Sequence, residues 1–301
     1  MGYPAWYRNA YTSAEKKKVA TQGAIGQNTD TQEYNIPSSP FPGKTLIGVE
    51  IQGHCVVTYT AAEAPIANRS IVDAAIGLVD LRQTSDNKGT LFHTSGMLIR
   101  LNEYLMQSEI VEDAAPTAQG AGDEEADWVI QVPFCGKGVC SFKMRTGLIA
   151  SVYAGDVSDI QTTFTLYAIY ANEADVKERI VARETDVAAI TEGNITSNMN
   201  AIEGANLTAI LINESDFNSP TGADVLNRMS YSDGQIAYDK DAVLVFAEND
   251  LALGDPVDLP RTLGSFVFTV PSRPYRRDGS VFIQPEYTAA TAQNVCAIQA
   301  M

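Results

Sequence analysis

The sequence predicts an all-β chain made of two successive barrels or sandwiches, each of roughly eight strands with one short helix inserted midway. Three observations carry this reading. Short runs rich in β-branched and aromatic residues recur between clusters of Gly, Pro, Asn and Asp. No βαβ rhythm appears, which excludes a parallel nucleotide-binding sheet. Landmarks of the first half return in the second. Length agrees, since 301 residues is about two domains at roughly 150 residues each. Hydrophobic residues make up 45% of the chain and charged ones 19%, so it can bury cores and is neither a disordered acidic segment nor a charged coiled coil.

Residues 1–29 stand apart. They carry Arg8, Lys16, Lys17 and Lys18 against the single acid Glu15, interleaved with Tyr3, Trp6, Tyr7 and Tyr11. Rings with a polar end, set among cations, suit a lipid headgroup layer or a partner surface, and equally a frayed terminus. Residues 1–30 are therefore read as an N-terminal arm. Tyr34–Gly43 (YNIPSSPFPG) is Pro-rich and reads as an extended linker or edge segment.

From Lys44 the β signal dominates. Thr45–Thr60 (TLIGVEIQGHCVVTYT) reads as strand, with Gly53 as a bulge or turn. Ile71–Gln83, Asp127–Phe134, Gly147–Tyr153 and Thr162–Tyr170 continue the pattern. Thr94–Ser108 places Met97, Leu98, Leu101, Tyr104 and Leu105 at helical spacing behind Thr94 as N-cap. Thr221 and Asp224 have capping-box spacing before Val225, Leu226 and Met229, which predicts the second helix. Residues 174–193 fit a helix or two strands.

The two helices organise an internal repeat. Strands precede each (LVDLRQ and LTAILI), and strands beginning at Asp127 and Asp241 follow. Residues 147–170 and 264–287 align without a gap at an offset of 117, each reading as strand, turn, strand. Helix landmarks lie 127 apart (Thr94, Thr221) and the following strands 114 apart. The 13-residue difference falls on EIVEDAAPTAQGAGDEEAD, with seven acids and no base, which reads as an exposed loop over 109–126. The expected division is an arm over 1–30, a first barrel over 31–173 and a second over 174–301.

Chemistry is excluded more than indicated. GxSxG, HExxH, Walker A and GxGxxG patterns are all absent, and His93 has no matched nucleophile, so no catalytic residue is assigned and no enzyme is expected. Cys55, Cys135, Cys140 and Cys296 lack CxxC spacing, so no metal ligands and no cofactor are assigned. Cys135 and Cys140 either bridge a hairpin or stay reduced. Asp123, Glu124 and Glu125 lack EF-hand spacing, and Arg273, Arg276 and Arg277 form a second basic cluster in a turn. Net charge is −16, against a nucleic-acid footprint. No window approaches 18 apolar residues, and the first 25 residues show no secretory h-region.

Two tandem eight-stranded barrels with inserted helices, behind an aromatic and basic arm, resemble the double jelly-roll major capsid proteins of the adenovirus–tectivirus lineage. In compact size the chain is most similar to those of corticovirus-like and other small internal-membrane phages. The resemblance implies a non-enzymatic shell protein of an icosahedral, membrane-containing virion, made in the host cytoplasm. It implies homotrimers of pseudo-sixfold shape, minor capsid proteins as partners, and no sequence-specific nucleic-acid contact. It places Trp6, Tyr7, Arg8, Tyr11, Lys16, Lys17 and Lys18 at the inner shell or membrane surface. The rival class is a tandem β-sandwich that binds carbohydrate or a receptor.

Overall fold

The computed structural model describes residues 5–26, 28–37, 40–59, 63–66, 76–83, 89–94, 117–119, 121–136, 140–146, 157–176, 180–214, 226–253, 265–276 and 278–301. The chain divides into two compact units, Tyr3–Arg179 and Ile180–Met301. Both are dominated by antiparallel strands.

The first unit opens with helix α1 (Ala5–Thr12). Its strands are β1 (Glu15–Ile25), β2 (Tyr34–Ile36), β3 (Lys44–Tyr59), β4 (Glu63–Ile66), β5 (Ile76–Gln83), β6 (Gly89–Thr94), β7 (Thr117–Gln119), β8 (Gly122–Gly136), β9 (Cys140–Thr146) and β10 (Val157–Asn172). One four-stranded sheet has the order β1-β10-β3-β8. A second run pairs β6 with β5, β5 with β9 and β9 with β2. Period-two burial sets the inward faces: Ile51, Cys55 and Val57 on β3, Ala126, Trp128, Ile130 and Val132 on β8, and Ile160, Phe164 and Leu166 on β10. Phe164 makes edge contacts with Phe142 of β9 and Tyr34 of β2, at centroid distances of 6.3 and 6.4 Å, so the core lies between the two layers.

The second unit contains β11 (Ile180–Glu192), β12 (Asn206–Glu214), β13 (Leu226–Ser232), β14 (Ala237–Asp241), helix α2 (Ala242–Leu253), β15 (Ser265–Pro274) and β16 (Phe282–Ala300). The 19-residue β16 organises it. β11 pairs along one side of β16, while β13 takes residues 282–287 and β12 takes residues 293–300 of the other side. Exposed Thr288–Ala290 mark the change of partner. The core collects Ile210, Ile212, Met229, Tyr231, Phe268 and Val295, and the Tyr275 hydroxyl donates to the Thr196 carbonyl at 2.6 Å.

Several local expectations change. Gly53 is neither bulge nor turn; it lies mid-strand, paired with Phe164 and Trp128, because the Trp128 indole occupies the space a side chain would fill. Within the ambiguous stretch 174–193, residues 180–192 form one strand, and residues 177–179 lie outside the described residues. The strand expected from Asp241 is helix α2, since a short apolar run fits a buried strand and a packed helix alike. Conversely, Leu226 and Met229, expected on a helix, are buried on β13; residues 215–225 and 95–108 lie outside the described residues.

Of the stretch expected as a loop, residues 109–116 and 120 lie outside the described residues, and residues 122–126 belong to strand β8, where alternation with Ala126 and Trp128 puts Asp123, Glu125 and Asp127 on the solvent side. The gap-free offset of 117 also fails. Residues 158–164 are strand, whereas residues 275–281 connect β15 to β16; the outward polar residues Ser158 and Asp159 mimic turn chemistry. β15 and β16 do not form a hairpin, since β12 lies between them. Arg273 there pairs with Asp233 at 2.7 Å. Residues 147–156, Arg277 and the side chains of His93 and Cys135 lie outside the described residues, while Cys140 is fully buried on β9.

Candidate functional site on the N-terminal segment

The segment read as an arm is built into the first unit. Residues 15–25 form β1, an edge strand of the four-stranded sheet, in register with β10 from Glu15↔Tyr170 to Ile25↔Thr162. Ahead of it, α1 packs on one end of β10, with Ala10 only 2% exposed. The last turn of α1 is closed locally: the Thr12 hydroxyl donates to the Asn9 carbonyl at 2.8 Å and the Ser13 hydroxyl to the Ala10 carbonyl at 3.2 Å. At this end of the sheet burial loses its alternation, and Thr45–Ile51 and Ala168–Ala171 are buried without interruption. A sheet reads this way when both faces are covered.

Under that cover lies one carboxylate. Glu50 of β3 is 1% exposed and accepts from four side chains. Lys16 Nζ donates at 2.7 and 2.9 Å, Gln52 Nε2 at 2.8 Å and Gln131 Nε2 at 3.0 Å. The Tyr11 hydroxyl of α1 donates to the same carboxylate, and Gln131 also donates to the Tyr11 oxygen. Burial pushes the Glu50 carboxyl up, but the hydrogen bonds from Lys16, Tyr11, Gln52 and Gln131 outweigh it and hold the carboxyl below its ordinary value. Tyr11 moves the other way: burial first, then its bond to Glu50, raises the phenol. One buried charge thus ties together α1, β1, β3 and β8.

The seven sequence-predicted residues therefore separate. Tyr11 and Lys16 meet at Glu50, with Lys16 Nζ also 5.4 Å from the Tyr11 ring centroid. Lys17 and Lys18 are exposed; Lys17 Nζ lies 5.6 Å from the Phe41 ring, which itself packs on Tyr170. Trp6, Tyr7 and Arg8 lie on α1, and their side chains are outside the described residues. Glu50 was legible as the only acid within Lys44–Tyr59, but nothing in the sequence linked it to Tyr11 or Lys16.

Further along the same sheet, an open trough of about 510 Å³ is lined by Thr21, Gln52, His54, Asp127, Thr163 and Thr165. His54 Nδ1 lies 2.8 Å from Asp127 and Nε2 3.8 Å from Glu125. Among the described residues, no group of three or more His, Cys, Asp or Glu is placed to hold a metal ion. Trp128, Val129 and Phe164 also line it, so the trough is an open, solvent-facing surface of mixed polar and apolar character.

No protein-family model and no curated protein matches the chain in sequence. Solved structures do match in fold. The chain is similar to the STIV MCP in its crystal structure, at 12% identity, covering 96% of each chain, with a TM-score of 0.66. It is similar to a chain in the atomic structure of Sulfolobus Turreted Icosahedral Virus, at 13% identity, covering 96% of this chain and 90% of that one, again at 0.66. The major capsid protein from Bacteriophage PM2 overlaps less well, at 9% identity, 95% and 97% coverage and a TM-score of 0.45. In fold, the chain is an all-β double jelly roll of the kind seen in the STIV MCP.

Proposed function

We propose that this protein is a major capsid protein, the repeated building block of an icosahedral shell around a membrane. The observation that carries the reading is the fold overlap across 96% of both this chain and the STIV MCP, so the likeness spans both barrels and not one of them. Three copies of a two-barrel chain carry six similar lobes, the number that lets a trimer tile a hexagonal lattice. Copies each carrying a net charge of −16 repel at long range, so contacts between them have to be short-range and locally matched in charge. The same charge disfavours direct nucleic-acid contact; the genome would lie behind the membrane.

Within this reading the N-terminal segment faces the lipid. Glu50 occupies Lys16, which leaves Arg8, Lys17 and Lys18 as its cations toward anionic headgroups. Each cation near such a surface contributes about 1 kcal/mol, screened beyond a Debye length of about 8 Å. Three give about 3 kcal/mol, which is weak for one copy and strong for many copies on one shell. Co-flotation with vesicles containing phosphatidylserine tests the lipid reading: the wild type floats at low salt and an R8A/K17A/K18A variant does not. Equal flotation of both assigns the segment to protein–protein contacts. Electron microscopy of the purified protein tests the shell reading, with trimers of hexagonal outline expected.

A further inference from the structure

We propose that Glu50 is an acid-operated latch for the N-terminal helix: its carboxylate holds α1 on the sheet, and its protonated form lets α1 go. The inference rests on the clasp alone, and stands or falls independently of the lipid reading.

The first observation is that α1 has little stability of its own. It is eight residues long, with no acid in its first turn and no base in its last. Isolated helices shorter than about 12–15 residues are marginal in water even in good sequences. Its attachment is therefore tertiary, and among the described side chains Ala10 on the sheet and Tyr11 on Glu50 and Gln131 contribute to it.

The second observation is the hydrogen-bond logic around the carboxylate. Lys16 from β1, Tyr11 from α1, Gln52 beside it on β3 and Gln131 from β8 all present donors to Glu50. Tyr167 of β10 stands opposite Glu50 in register, and Lys18 opposite Tyr167. An ionised carboxylate has about four acceptor sites, which suits this set. Protonation converts one oxygen into a donor among donors and leaves Lys16 without its counter-charge. The Tyr11 hydroxyl donates to Glu50 and its oxygen accepts from Gln131, so a proton on Glu50 directed at Tyr11 meets a hydroxyl already turned to donate and must displace that arrangement. Acid therefore takes from Tyr11 its charged acceptor and weakens the hold on the end of α1, while the strand ladder of β1 on β10 keeps its backbone bonds. What is released is the helix that carries Trp6, Tyr7 and Arg8.

The third observation is placement. The helix is followed by Ser13 and Ala14 and then by β1, which is anchored along its length to β10. A two-residue hinge confines the opening to α1.

Hydrogen exchange read by mass spectrometry on the full chain tests this. E50Q mimics the protonated side chain, because its amide offers one acceptor and brings two donors. At neutral pH, residues 5–14 of E50Q should exchange at least tenfold faster than in the wild type, with β10 and β16 unchanged. Y11F, which leaves the Glu50 charge and Lys16 in place, should open the same segment. The wild type, corrected for intrinsic exchange, should lose protection at 5–14 on acidification before β10 does. Wild-type protection of 5–14 in both variants overturns the latch. So does loss of protection across the whole first unit, in E50Q or on acidification, since the clasp would then be part of the core and not a switch.

Discussion

Replacing Gly53 with alanine tests the packing at the centre of the four-stranded sheet. A Cβ at Gly53 would stand 2.0 Å from Cζ2, 2.2 Å from Cε2 and 2.5 Å from Cη2 of Trp128. Ordinary carbon contacts lie at about 3.5–4.0 Å, so the indole must retreat by about 1.5 Å. Trp128 is 2% exposed, and its ring has little free space to move into. Among the described residues its Nε1 has no hydrogen-bond partner, so the cost of the shift is one of packing. Overpacking a core costs about 1–3 kcal/mol. Gly53 is not in the positive-φ region, so alanine is not strained there and recovers about 0.4–1 kcal/mol through the unfolded chain. The net is a loss of about 1–2 kcal/mol, or a fall in Tm of about 3–6 °C for a unit of this size. Differential scanning calorimetry reads it. W128F, which removes the atoms in conflict, should make G53A cheaper: the double variant should lose less than the two single losses added together. A G53A protein as stable as the wild type, or strictly additive losses, would refute the placement of the indole over Gly53.

Further outcomes follow from the same geometry. K16M leaves Glu50 buried with neutral donors only and should cost about 1.5–3 kcal/mol, while K16M in an E50Q background should cost much less, as a double-mutant cycle by chemical denaturation will show. Because the folded Glu50 carboxyl lies below its unfolded value, its contribution is complete above the ordinary glutamate range and fades as pH falls through the folded value; E50Q should flatten the acid limb of the stability–pH curve. Hydrogen bonds from Arg145 and Lys143 hold the Asp30 carboxyl at about 2, so D30N should cost less than about 1 kcal/mol at neutral pH, lose its effect in strong acid, and lose part of it in high salt. K17A/K18A should reduce vesicle flotation without moving Tm, since both ammonium groups lie on the surface.

Legibility in the sequence followed the physics of each element. Strands whose inward side chains alternate, such as β3, β8 and β10, announced themselves through period-two patterning, and β3 was read to within a residue at each end. Apolar runs without a clear period were ambiguous, which is why the run from Asp241 was read as the start of a strand and Leu226 and Met229 as the apolar face of a helix. Gly53 misled because a glycine in a strand signals a bend or a close approach, and only the cross-strand partner Trp128 says which. The basic, aromatic character of residues 1–29 was visible, but its division was not. Whether a lysine faces solvent or a buried acid depends on pairing β1 with β10 and β10 with β3, a register set by contacts more than a hundred residues apart.

The central claim, a shell-forming double jelly roll, is tested most directly by the mass and shape of the purified protein. Multi-angle light scattering coupled to electron microscopy should give particles of three chains of 32.4 kDa each, hexagonal in outline and packing into sheets or shells at high concentration. A protein that remains a single 32.4 kDa chain at every concentration and ionic strength would contradict the account.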